Sequence, residues 1–327
     1  MKAGKLKESV LKRSVLKQLH TRNDAVLQKP AIGGDYGAIA VSEDVTVVLS
    51  SDPVTLTKDA IGSSAVMAAC NDVACSGAKP MGISVTMLLP TSFNEEELRD
   101  LMKDMDRACA ECGVDILSGH TEVTRSVKEP LVVVTAMGTV AKSKMIHSSG
   151  VRPGMDIVAT KWVGLEGTAI LAKEREEELR TRYAKPFIDN AKVFGQMMSI
   201  IPEAAVAAKS GAGAMHDVSE GGIFGALWEL AQSSGVGLEI DLKKIPIRQE
   251  TVEICEFFDL NPYKIVSGGS LLIATEDGNG MVLELEKAGI PAVVIGKATD
   301  GNDRVLLNED ERRFLETTQT DELYNLQ

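Results

Sequence analysis

Strand-like and helix-like runs alternate along the whole chain, and this alternation limits the possible folds more than any other property. The runs AIAVSEDVTVVLSSD (38–52), GISVTMLLP (82–90), PLVVVTAMGTV (130–140) and DIVATKWV (156–163) are short, apolar and β-branched, as strands are. Between and after them lie stretches of helical period at 58–75, 94–112, 165–178, 188–209, 222–234 and 250–258. Elements mixed in this way give an α/β (α+β) class, with helices laid on sheets. The stretch HSSGVRPGMD (147–156) interrupts the pattern with Gly, Pro and Ser, as a linker does. The expected division is an N-terminal helical arm (1–30), a first domain (31–148) and a second domain (149–327). A chain of 327 residues is long enough for two cores.

One helix is readable in detail. In NEEELRDLMKDMDRACAECG, the residues Leu98, Leu101, Met102, Met105, Ala108, Cys109 and Cys112 recur at three and four residues. Asn94 caps, Glu97 stands three later in a capping-box position, and Gly113 stops the run. The Cys109/Cys112 pair is therefore expected on a core face and not on a metal.

Composition excludes several functions. The formal net charge of -12 argues against nucleic acid as a partner. No apolar run has membrane-span length. The basic start MKAGKLKESVLKRSVLKQLH has no apolar core of a secretory signal. Five cysteines in a chain of this size suggest reduced thiols. A cytoplasmic protein is expected.

The candidate chemistry is acidic. There is no GxxxxGK[ST] and no helix-opening GxGxxG. Instead Asp35, Asp52, Asp72 and Asp217 stand in loop-like contexts beside small residues. Taken alone, each reads as a turn or cap residue, and Asp217 as the cap of a helix at 222. Brought together, they would suit Mg²⁺ and a polyphosphate, because Mg²⁺ takes carboxylate oxygens and shares its remaining positions with phosphate. Gly221 and Gly222 open the helix IFGALWELA, and Gly268 precedes the strand-like LLIA. Such glycines let backbone N–H groups approach an anion, or simply allow tight turns. His216, beside Asp217, reads as a general base or as a structural imidazole.

The motifs GGDYGAI, SDPVT, NDVACSGAKP, SGHTEV, RPGMDIVATKWVGLEGTAIL, HDVSEGGIFGALWELA and NPYKIVSGGSLLIA resemble, in wording and order, the aminoimidazole ribonucleotide (AIR) synthase superfamily. Within it they are most similar to hydrogenase maturation proteins of the HypE type. The resemblance implies an N-terminal mixed sheet that forms a barrel across a homodimer, and an α/β domain beside it. It implies ATP in the cleft between them, with Asp35, Asp52, Asp72 and Asp217 at Mg²⁺ and phosphate. Asn71, Gly119, Gly221, Gly222 and Gly268 then line the nucleotide site, and a maturation protein is a further partner.

The implied chemistry is ATP-dependent activation of a carbonyl or amide oxygen on an acceptor the sequence does not name. The alternatives are a small-molecule kinase of the thiamine-monophosphate type and a non-catalytic nucleotide-binding maturation protein. Three departures bear on the choice. The last cysteine is Cys255 and the sequence closes DELYNLQ, so the terminal-cysteine chemistry of HypE is not expected. His120-Thr121-Glu122 stands where many members carry Asp-Thr-Lys, which makes His120, with His216, a candidate acid/base. Asp35-Tyr36 stands where the kinases carry two acids.

Overall fold

The structure, a computed structural model, describes residues 8–19, 24–57, 60–317 and 320–326. Residues 1–7 and 20–23 of the expected arm lie outside the described residues. The first half comprises α1 (Glu8–Ser14), β1 (Val26–Gln28), β2 (Gly37–Ala40), β3 (Val45–Val54), α2 (Ile61–Cys75), β4 (Lys79–Leu89), α3 (Glu95–Cys112), β5 (Asp115–Val123) and β6 (Leu131–Ala141). The second half begins with β7 (Asp156–Thr160), α4 (Leu165–Glu174), α5 (Glu176–Leu179), α6 (Lys185–Val193), α7 (Ile201–Lys209), β8 (Ala212–Val218) and α8 (Gly222–Ser234). It continues through β9 (Gly237–Asp241), α9 (Gln249–Phe257), β10 (Ser270–Thr275), α10 (Gly278–Lys287), β11 (Ala292–Thr299), β12 (Arg304–Asn308) and β13 (Glu311–Phe314).

Each half is built on one mixed sheet. The first runs in the order β1-β2-β3-β6-β4-β5, with β4 and β5 parallel across the crossover helix α3. One face is apolar because alternate residues point the same way. Val48 on β3 and Val132, Val134 and Ala136 on β6 are fully buried, under α2. The other face keeps Leu49, Met81 and Met137 exposed at 42, 55 and 38%. The second sheet runs β13-β12-β9-β11-β7-β10-β8. Its strand β10, SLLIAT, is buried at every position, as a strand covered on both faces must be.

The two halves share a core. One hydrophobic cluster joins Val73 and Ile83 of the first half to Ile200, Met215 and Ile273 of the second. Asn71 on α2 spans the same contact. Its Nδ2 donates to the Met198 carbonyl at 2.9 Å, and its Oδ1 accepts from the Ile200 N–H at 3.0 Å. Lys161 holds the same segment from the other side, donating to the Met197 and Ser199 carbonyls while paired with Glu203 at 2.7 Å. This corrects the expected role of Asn71: its amide is buried and committed to the protein.

Helix α3 follows its reading closely. Asn94 and Glu97 form the capping box, Gly113 is left-handed at φ 67°, and Cys109 and Cys112 are buried. Other stretches divide where the sequence suggested continuity. Residues 38–52 form a hairpin, β2 to β3, whose turn is fastened by Ser42 Oγ accepting from the Val45 N–H at 3.1 Å. The stretch 188–209 is two helices, because Gly195 weakens the first and Pro202 starts the second. Asp72 lies on α2 and not in a loop, and AMHDV is strand β8 and not a helix start.

Replacing Asn71 with Ala would leave the Met198 carbonyl and the Ile200 N–H buried without a partner, at about 1–3 kcal/mol each. Urea unfolding should show a stability loss of about 2–4 kcal/mol at unchanged m-value. A loss well below about 1 kcal/mol would show that the clamp is dispensable.

Candidate functional site

A cavity of about 830 Å³ lies between the halves. Asp52 reaches it from the end of β3, and Ser64, Ala68 and Asp72 from α2, one above another at the four-residue spacing of a helix face. Asp35 reaches it from the loop before β2, Glu166 from the first turn of α4, His216 and Asp217 from β8, and Glu229 from α8. Successive strand residues point to opposite faces. His216 and Asp217 nonetheless both line the cavity, and β8 is an edge strand, paired with β10 on one side only. Helix α1 lies at the mouth, where Glu8 accepts from Trp228 Nε1 at 3.4 Å and the Arg304 guanidinium stacks on the indole at 4.0 Å.

Asp52 and Asp72 share one hydroxyl. Ser50 Oγ lies 2.8 Å from Asp52 Oδ2 and 2.6 Å from Asp72 Oδ2. A hydroxyl has one proton to donate, so it satisfies one carboxylate and leaves the other needing a proton or a cation. Burial, then the charges of Asp217, Asp52 and Asp35, hold the Asp72 carboxyl well above the usual range. His216 Nε2 lies 3.1 Å from Asp35 Oδ1 and 3.6 Å from Glu229 Oε2. Burial disfavours charge on this imidazole, but Asp35, Glu229 and Asp217 outweigh it and raise its pKa.

Four of the expected residues, Asp35, Asp52, Asp72 and Asp217, thus meet in one space with His216. Besides Asn71, five others do not line it. His120 and Gly119 lie on β5, an exposed edge strand. There His120 Nε2 contacts Glu122 Oε2 at 3.4 Å, because residues two apart share a strand face. A Cβ on Gly119 would stand 2.6 Å from the Val85 carbonyl, so glycine serves close strand approach there. The N–H groups of Gly221, Gly222 and Gly268 are also spent within the protein. Gly221 donates to Asp321 Oδ2 at 2.8 Å, Gly222 to the Ser219 carbonyl at 3.0 Å, and Gly268 to Glu166 Oε2 at 3.1 Å. Gly221 caps α8 in the left-handed region at φ 88°, so Asp217 is not the cap. Gly222, at φ 63°, packs against the backbone of 263–265. Their sequence signal was real, but it reported backbone conformation and close packing.

Ser50, Glu166, Glu229 and Asp321 were not anticipated. Glu166 sits inside VGLEGTAI, where the glycines drew the eye, and Glu229 inside an apolar helix. It is the packing of distant elements that makes them part of the site. Glu166 also lines a second cavity of about 790 Å³ on the far side of α2. Burial pushes its carboxyl up from 4.5 to about 7.

That shift fixes a pH dependence. Below the unfolded value Glu166 is protonated in both states and costs nothing. As pH rises towards about 7, the folded state retains a proton that the unfolded state has lost, and stability falls. The penalty is complete above about 7 and is on the order of 3 kcal/mol. With metals chelated, Glu166→Gln should therefore be more stable than wild type at pH 8 and nearly equal to it at pH 4.5. Thermal melts whose difference does not grow with pH would refute the assignment.

Comparison with known proteins places this geometry. Residues 24–140 match the AIR synthase related protein N-terminal domain, and residues 152–307 match its C-terminal domain. The carbamoyl dehydratase HypE of Cupriavidus necator is 28% identical over 291 residues, covering 87% of this chain and 79% of that protein. The thiamine-monophosphate kinase of Pyrococcus horikoshii is 25% identical, covering 87% of this chain and 88% of that protein. Among solved structures, the HypE–HypF complex superposes with a TM-score of 0.77 at 21% identity, covering 94% of this chain and 99% of the matched one. HypE in complex with ATP gives 0.72 at 18%, covering 97% and 94%. With both halves matched, the two-sheet α/β architecture is that of this family, and the chain belongs to the AIR synthase related proteins.

Proposed function

We propose that the cavity binds ATP with Mg²⁺ and uses it to phosphorylate a carbonyl or amide oxygen of an acceptor. The observation that carries this reading is the convergence of Asp35, Asp52, Asp72 and Asp217, from both halves of the chain, on one space of nucleotide size. The Ser50 contact gives the fit to a cation: one hydroxyl proton between two carboxylates leaves negative charge that Mg²⁺ neutralises. The four aspartates would hold Mg²⁺, which supplies charge neutralisation at the phosphates. The acceptor oxygen attacks the γ-phosphorus as the bond to ADP breaks; the carbon–oxygen bond of the acceptor then breaks and phosphate leaves with that oxygen, as a nucleophile adds at the carbon or the amide nitrogen gives up its protons. The chain's own contribution is to position the reactants and to exclude water. HypE crystallised with ATP and the carbamoyl dehydratase relatives support this reading. In the same reading residues 31–148 carry nucleotide binding and subunit pairing, and residues 149–327 close the cavity.

Likeness to a thiamine-monophosphate kinase favours one second reading, simple phosphate transfer to a small acceptor. Phosphate release stimulated by an amide acceptor separates the two. Likeness to the HypE–HypF complex supports a protein partner that brings the acceptor group.

The open face of the first sheet supports a homodimer. Leu49, Met81 and Met137 on that face, and Leu117 and Val123 on the edge strand β5, are exposed. Gly119 and His120 lie on that edge, so they reach a nucleotide cavity only across such an interface. Sedimentation equilibrium should show a dimer for wild type and a monomer for Leu49→Glu/Met137→Glu. A wild-type monomer would remove His120 from the site.

Calorimetry with a non-hydrolysable ATP analogue tests the nucleotide site. Binding at one site per chain should require Mg²⁺, and Asp217→Asn should weaken it at least about 10-fold. Equal binding with and without Mg²⁺, or in the variant, would sink the assignment.

A further inference from the structure

His216 is, among the described residues, the one imidazole in a cavity wall otherwise dominated by carboxylates, and its setting is that of a metal ligand. Its Nδ1 lies 2.7 Å from the Asp217 carbonyl. A carbonyl only accepts, so Nδ1 carries the proton and Nε2 is the ring atom left to face the carboxylates, where a bound cation would take the place of its proton. An imidazole that donates its other N–H to a carbonyl is oriented as metal-bound histidines are. His216 is 2% exposed, and among the described residues its Nε2 makes no hydrogen bond. It nevertheless lies 3.1 Å from Asp35 Oδ1 and 3.6 Å from Glu229 Oε2.

These distances are informative. Two ligand atoms 2.0–2.2 Å from one cation, at tetrahedral or octahedral angles, are about 2.8–3.6 Å apart. Ligand atoms of Asp35, His216 and Asp217 all lie within 4.8 Å of one another. Mg²⁺ favours an all-oxygen shell and sheds water reluctantly, whereas imidazole suits Zn²⁺ and its first-row neighbours.

We propose that Asp35, His216 and Asp217, with Glu229 as a fourth donor, form a protein-held site for an imidazole-accepting divalent cation of the Zn²⁺ or Co²⁺ class. This cation is distinct from the Mg²⁺ that accompanies a nucleotide, toward which Asp52 and Asp72 act together with the remaining oxygens of Asp35 and Asp217, and it binds without nucleotide. Each of Asp35 and Asp217 has a second oxygen for the nucleotide side. The inference rests on the preceding reading only in sharing its cavity.

Metal-stripped full-length protein, without nucleotide, is titrated with Co²⁺ and followed by visible absorption. One Co²⁺ per chain should bind, with ligand-field bands and no near-ultraviolet thiolate band, which excludes the five buried cysteines. Proton NMR of the same sample should show one strongly shifted exchangeable resonance, the buried Nδ1–H, and this measurement needs no variant. His216→Gln should weaken Co²⁺ binding by at least the roughly 10–100-fold that loss of a supporting partner costs a metal site. His147→Gln, on the surface, should not change it. No bound Co²⁺, a thiolate band, or a His216→Gln protein that binds like wild type would overturn the inference and leave His216 an imidazolium in a salt bridge. Calorimetry with Mg²⁺ and the ATP analogue on the same preparation separates the two readings. Nucleotide binding without a Co²⁺ site overturns this inference alone, and a Co²⁺ site without nucleotide binding overturns the earlier reading alone.

Discussion

Asn71 commits both ends of its amide to residues 198–200, and it does so one position before Asp72. That junction sets the relation of the two halves. The cavity exists because β3 and α2 stand at a fixed distance from β8 and α4, and a shared hydrophobic core makes that distance rigid. A hydrogen-bonded amide adds register to the core, since apolar packing alone is not directional. Lys161 and Glu203 reinforce the junction from the other side. This buried pair is weak evidence for stability, but it holds the backbone that Asn71 reads.

The fixed junction has an electrostatic consequence. Among the described residues, eight acidic side chains line the cavity, Glu8, Asp35, Asp52, Asp72, Glu166, Asp217, Glu220 and Glu229, against one lysine, Lys12, and one imidazole, His216. Lys12 is itself paired with Glu8. The chain folds around this excess with burial pushing the Asp72 and Glu166 carboxyls upward and with His216 placed among three carboxylates. A cation placed among these carboxylates relieves their mutual repulsion, and part of that relief appears as binding energy.

Local signals in the sequence were legible and tertiary ones were not. The capping box at Asn94 and Glu97 and the stop at Gly113 report on their own turns, so α3 could be placed to within a residue. Asp72 could not be, because NDVACSGAKP offers small residues that suit a helix packed against a sheet as well as a loop. The acidic residues of the motifs were recognised as a group, yet Glu166 and Glu229 join them only through the packing of α4 and α8. His120 shows the converse. Its motif pointed to the site, and its strand lies on an open edge.

The glycines at the start of α8 carry the last step. A glycine-opened helix start suggests a phosphate on free backbone N–H groups. Here that position is filled from within the chain: Asp321 accepts from the Gly221 and Leu323 N–H groups, and its own carboxyl is pushed up to about 6 by burial. With the helix start occupied and one lysine and one imidazole in the wall, both beside carboxylates, the cavity has little fixed positive charge with which to meet a triphosphate. In the proposed reading, attraction comes from cations held between the carboxylates and the phosphates. This is the reverse of a phosphate-binding loop, where backbone amides and a lysine do most of the work, and in the proposed reading it ties nucleotide binding to cations through the fold itself.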